Sequence, residues 1–142
     1  MITFLPVPSY KQSAAILDYR RLGKQRVEAL MILRIFAGTG QHASWSNHSA
    51  VKMWKGHEAA LQRYTMAMCE EWIGRGYNST IVPEVSSYDF DDCDDPIWDP
   101  LLHLSHQSNL VRKLPEYYCS FFPNVPDNLK YFWPDKKEDY GR

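Results

Sequence analysis

Cysteine is scarce. Cys69, Cys93 and Cys119 lie far apart and none belongs to a Cys-x-x-Cys pair, which argues against a disulfide framework or a structural zinc site and fits a reducing compartment. Long apolar runs are missing as well. No stretch reaches the ~20 residues that a membrane span requires. The opening Met1-Ile2-Thr3-Phe4-Leu5-Pro6 has neither a basic leader nor a long apolar segment, so no membrane association and a cytoplasmic location are expected. Charge of one sign is not in excess: the net charge is -1, unlike that of a uniformly basic nucleic-acid binder. There is no His-Glu-x-x-His pair, no Gly-x-Ser-x-Gly elbow, no phosphate-binding glycine loop and no dinucleotide fingerprint. No cofactor and no metal are expected.

What is present is uneven charge and many aromatic rings. Residues 1–75 hold ten Lys/Arg against five Asp/Glu, and the remainder six against twelve. A nearly neutral protein can therefore present one basic surface. Five Trp and nine Tyr in 142 residues suit either a core or a base-stacking platform. The length fits one domain with a real core, and a monomer is expected.

The densest cationic segment is Asp18-Tyr19-Arg20-Arg21-Leu22-Gly23-Lys24-Gln25-Arg26-Val27-Glu28. Ser9 and Gln12 have capping-box spacing, so a helix is expected from about Tyr10, continuing to Gly38 with a possible kink at Gly23. Arg21, Gln25 and Glu28 recur at helical spacing and share a face. Arginines along a helix suit bidentate phosphate contacts, with an amide and a carboxylate between them; a solvated basic face is the plainer reading. A polar loop over residues 38–49 holds His42, Trp45, Asn47 and His48. A second long helix is expected from about Ala50 to Gly74, because Trp54, His57, Leu61, Tyr64, Met68 and Trp72 repeat every three or four residues; Lys52 adds charge near its start. Pro83 makes residues 81–85 read as a loop. The aspartates between Asp89 and Asp99 lack the glycine and glutamate of a calcium loop. Asp99-Pro100 caps a helix ending near Lys113, a short helix spans 115–121, and an aromatic tail wraps the rest. The sum is a compact all-α domain.

Four stretches in order resemble the pyrimidine-dimer DNA glycosylase family of the endonuclease V type: residues 17–28, 45–54, 69–77 and 103–118. The likeness is nearest to a bacterial branch with Thr-Phe-Leu-Pro and Arg-Leu-Gly-Lys-Gln-Arg motifs. It implies an all-α fold and a partner of duplex DNA carrying a damaged or modified base. It also implies base excision with strand cleavage at the abasic sugar, by an N-terminal amine nucleophile and a helix carboxylate. An α-amine, with a reference pKa of about 8, is partly neutral at pH 7.

Two departures shape the site expected here. Ile2 follows Met1, so the amine belongs to Met1 unless processing exposes Thr3. The family's Tyr-Arg-Glu-Leu reads Tyr19-Arg20-Arg21-Leu22, so Arg21 stands at the glutamate position; Glu28 is the preferred substitute, ahead of Asp18. Arg20, Arg21, Lys24, Gln25, Arg26, Asn47, His48 and Lys52 are expected at the DNA. Two alternatives remain: binding of distorted DNA without cleavage, and a metal-dependent hydrolase built on His42, His48, His103 and His106.

Overall fold

The computed structural model describes residues 1–39 and 43–140. Among them there are helices and no strands, as expected of an all-α chain. His42 lies outside the described residues. In chain order α1 spans Tyr10–Ile16, α2 Tyr19–Ala37, α3 Ser49–Trp54, α4 Glu58–Gly74, α5 Val82–Ser87, α6 Pro100–Lys113 and α7 Pro115–Tyr118, with short 3-10 helices at Ala43–Asn47 and Pro134–Asp139.

The helix ends follow local chemistry. The Ser9 side chain accepts from the Gln12 amide at the start of α1, 3.1 Å away, a cap typically contributing about 1 kcal/mol. The expected single helix from Tyr10 to Gly38 is in fact two. The break falls at Leu17 and Asp18, both extended, rather than at Gly23. Asp18 caps α2 through its side chain. The buried Tyr118 hydroxyl accepts from the Asp18 amide at 2.9 Å and donates to the Asp18 carboxylate. Gly23 has a different job: Trp72 of α4 packs on it so closely that an added Cβ would lie 2.9 Å from the indole ring. Gly38 ends α2 in the left-handed region at φ 73°, as its sequence position predicts.

The second expected long helix is also divided. Gly56 at φ 84° turns the chain between α3 and α4. The apolar stripe survives the break, with Trp54, Leu61, Tyr64 and Met68 fully buried. Residues 82–87 form α5 instead of a loop, because Pro83 occupies the first turn, where no intrahelical N–H bond is lost. Asp99 caps α6 through the Leu101 amide at 2.9 Å, and α6 ends at Lys113 as predicted. The following helix stops at Tyr118, short of the expected 121.

α4 is the central element, packing against α1, α2 and α5. Around it Tyr10 meets Trp54 and Tyr64 edge-on, and Trp54 meets Trp98 edge-on and Tyr64 at a tilt. The tail lies along α6. There Ser105 and Ser108 accept from the amides of Phe132 and Leu129, and Asn109 donates to the Leu129 carbonyl.

Candidate active site

The start of the chain has no regular structure, yet Thr3, Phe4, Leu5 and Pro6 are all buried. Buried backbone needs hydrogen-bond partners, and here side chains supply them. Glu28 Oε2 accepts from the Ile2 amide at 3.2 Å. Gln25 Oε1 accepts from the Phe4 amide at 2.8 Å, and the Tyr64 hydroxyl donates to the Phe4 carbonyl at 2.7 Å. His106 Nδ1 accepts from the Leu5 amide while His103 Nδ1 lies on the Leu5 carbonyl, each at 2.8 Å. Gln107 donates to the Pro6 carbonyl at 2.8 Å, and the Trp54 indole N–H to the Thr3 hydroxyl at 2.9 Å. Side chains of α2, α3, α4 and α6 thus fix the register of the first residues and hold the start of the chain at Glu28.

Glu28 opens on a cavity of about 270 Å³. Ile2 and Phe4 line it from the N-terminal segment, and Gln25 and Glu28 from α2. Its cations are Arg20, Arg21 and Lys24, joined by Lys113 from the last turn of α6. A second cavity of about 520 Å³ shares Arg20, Arg21 and Lys113 and adds Tyr19, Arg75 and Tyr117. These sizes approach or fall within the range of ligand sites, roughly 300–1,000 Å³. Beside the second cavity the exposed Tyr19 and Tyr77 rings stack, and Tyr77 in turn stacks on Trp72 at 4.3 Å.

The charges are unevenly paired. The Lys24 ammonium lies 3.7 Å from Glu28 but is largely exposed. Arg21 bonds Asp18 at 3.2 Å. Burial pushes the Asp18 carboxyl up, but hydrogen bonds from Tyr118 and Arg21 more than offset it and leave it below the usual carboxylate range. Asp18 is therefore a cap and an anchor for Arg21, whereas Glu28 faces the chain start. His48 caps α3, its Nδ1 accepting from the Ala50 amide at 3.0 Å. Burial first, then the positive charges of the chain's amino end and Lys136, hold its ring below the ordinary histidine value, with Glu28 opposing. The amino end, Glu28 and His48 thus share one neighbourhood.

Not every expected residue joins this group. Arg26 leaves it: five positions beyond Arg21 it points to another flank, its guanidinium 4.4 Å over the Trp72 ring and bonded to Ser79. Gln25 is buried and lines the cavity. Thr3 is fully buried with its hydroxyl accepting from Trp54. Asn47 and Lys52 are exposed and do not line the cavity. His103 and His106 both direct Nδ1 at Leu5, and no group of three or more potential metal ligands gathers among the described residues. Lys113 was missed; it lies 85 residues beyond Glu28, and its one signal is a basic last turn on an amphipathic helix.

A family model described as pyrimidine dimer DNA glycosylase matches residues 1–82. The match covers the N-terminal segment and α1 to α4, and so takes in Arg20, Arg21, Lys24, Gln25 and Glu28. No curated protein and no solved structure matches the chain.

Proposed function

The chain belongs to the pyrimidine dimer DNA glycosylase family, and from that premise we propose that it excises a base at a pyrimidine dimer in duplex DNA and then cleaves the strand at the abasic sugar. The Met1 α-amine is the nucleophile. Its lone pair attacks the sugar C1′ as the C1′–N bond to the base breaks; the nitrogen then loses a proton, and its lone pair expels O4′, which takes up a proton as the sugar ring opens to the imine. Glu28 stabilises the cationic sugar and carries protons between steps. Arg20, Arg21, Lys24 and Lys113 hold phosphates around the turned-out nucleotide.

One observation carries this reading. The Ile2 amide sits 3.2 Å from Glu28, one residue from the amine, at a cavity walled by cations. Arg21 at the family's glutamate position motivates the competing reading, DNA binding without turnover. Thr3 is a weaker candidate for the nucleophile than Met1, since its side chain and both neighbouring residues are anchored.

Glu28→Gln tests the reading. On ultraviolet-irradiated duplex the wild type is expected to cut one glycosidic bond of the dimer, leaving that base tethered to its neighbour, and to nick the strand. The variant, which keeps an oxygen for the Ile2 amide, is expected to bind the duplex and lose at least 100-fold in glycosidic-bond cleavage, within the 10²–10⁴ range of a positioned acid–base group. Equal rates for both would remove Glu28 from the mechanism. Binding without turnover by the wild type would favour the competing reading.

A further inference from the structure

We propose that Gln25 is a catalytic residue that donates a hydrogen bond to the departing pyrimidine's carbonyl oxygen; this rests on the glycosylase reading above. Gln25 is 1% exposed yet lines the same cavity as Glu28, one helical turn away. Its Oε1 accepts from the Phe4 amide at 2.8 Å, and the Tyr64 hydroxyl, whose one proton goes to the Phe4 carbonyl at 2.7 Å, lies 3.1 Å from the same oxygen. A backbone N–H can only donate, so the oxygen end of the amide must face Phe4 and the NH₂ end must face away. Nε2 has no hydrogen-bond partner among the described residues and is not among their sealed, partnerless polar atoms. Its N–H bonds therefore open on the cavity. Among the side chains lining that cavity, Gln25 is the uncharged donor; the others that donate are arginines and lysines.

A neutral donor of fixed direction beside the reacting carbon has a definite use. When the C1′–N1 bond breaks, its electron pair leaves with the base and spreads from N1 onto the C2 carbonyl oxygen. The amine lone pair forms the new C1′–N bond. The base then takes a proton from water, and the amine nitrogen loses one to Glu28 or solvent. A donor already oriented at that carbonyl stabilises charge that appears only as the bond breaks, and needs no reorganisation. The donor also favours a leaving pyrimidine, which carries that oxygen, over adenine, which has no carbonyl.

The experiment compares two rates in one preparation: glycosidic-bond cleavage on dimer-containing duplex, where the cut pyrimidine stays joined to its neighbour, and borohydride trapping on duplex with a preformed abasic site, from which the base has already gone. Their ratio cancels the folded fraction. Gln25→Glu keeps an oxygen for the Phe4 amide and puts a second oxygen where the NH₂ stood. Its ratio is expected to fall by roughly 100-fold, the loss seen when a single oxyanion donor is removed. Tyr64→Phe loosens the grip on Phe4 without touching the NH₂, so both of its rates are expected to fall together at an unchanged ratio. A Gln25→Glu ratio within threefold of wild type, or an equal fall in Tyr64→Phe, would overturn the assignment. Should Gln25→Glu not fold, Gln25→Met, of similar length without polar ends, provides the same comparison. A wild type that traps on abasic duplex but cuts no glycosidic bond at a dimer would overturn this inference and leave the lyase. A wild type that does neither would remove the glycosylase reading itself.

Discussion

At the scale of single residues, the chain start is held by groups that must keep one protonation state. His106 is fully buried, and burial, helped by the nearby His103, lowers its pKa from 6.5 to about 3. Its Nδ1 can accept from Leu5 only while the ring is neutral. Between pH 6.5 and about 3 the unfolded chain binds a proton that the folded chain refuses, so stability rises with pH across that window and is lost as pH falls through it. The slope approaches about 1.4 kcal/mol per pH unit. Urea denaturation at pH 7 and pH 5 checks this. His106→Gln is expected to be the less stable protein at pH 7, with the gap to wild type narrowing at pH 5; a gap that widens on acidification would contradict the burial argument. None of this was legible in the sequence. His103 and His106 at i, i+3 left metal ligation open only as a lesser reading, and nothing local reveals that a backbone amide and carbonyl about a hundred residues away meet both rings.

At the scale of elements, caps and apolar stripes were legible and helix breaks were not. Ser9, Gly38 and Asp99 act within a few residues of themselves, so spacing alone located them. Asp18 has the makings of a cap, but the break before α2 also needs Tyr118, which closes on it from the other end of the chain. Gly56 and Gly23 look alike in sequence and serve opposite ends: one turns the chain at positive φ, the other lets two helices approach. Gly23→Ala accordingly puts a methyl against the Trp72 ring. Overpacking of this kind costs about 1–3 kcal/mol, offset by nearly 1 kcal/mol of improved helix propensity. A net loss on the order of 1 kcal/mol is expected, read as a lower thermal midpoint. A raised midpoint would mean that α2 and α4 adjust without strain. The candidate site was legible where α2 alone supplies it, since Arg20, Arg21, Lys24, Gln25 and Glu28 are related by helical spacing. Arg26 stands apart from the cavity, over Trp72, because sequence closeness in a cationic run does not fix direction.

At the scale of the whole molecule, charge pairing decides where the basic surface lies. Arg34 is paired with Glu84, Arg63 with Asp92 and Asp95, and Arg75 with Glu71. These pairs neutralise much of the basic half away from the first cavity. Arg20, Lys24 and Lys113 stay exposed beside that cavity. Lys113→Gln is expected to weaken duplex binding uniformly across sequences and to reduce the salt slope of log K by about 0.9, one phosphate contact. An unchanged slope would take Lys113 out of the interface. The central claim is that the amine of Met1 attacks the sugar while Glu28 stands beside it. Borohydride trapping on dimer-containing duplex, followed by mass-spectrometric mapping of the adduct, tests it most directly. The expected result is one cross-linked peptide, bonded through the α-nitrogen of Met1. An adduct on Lys24 or Lys113, or none at all, would contradict it.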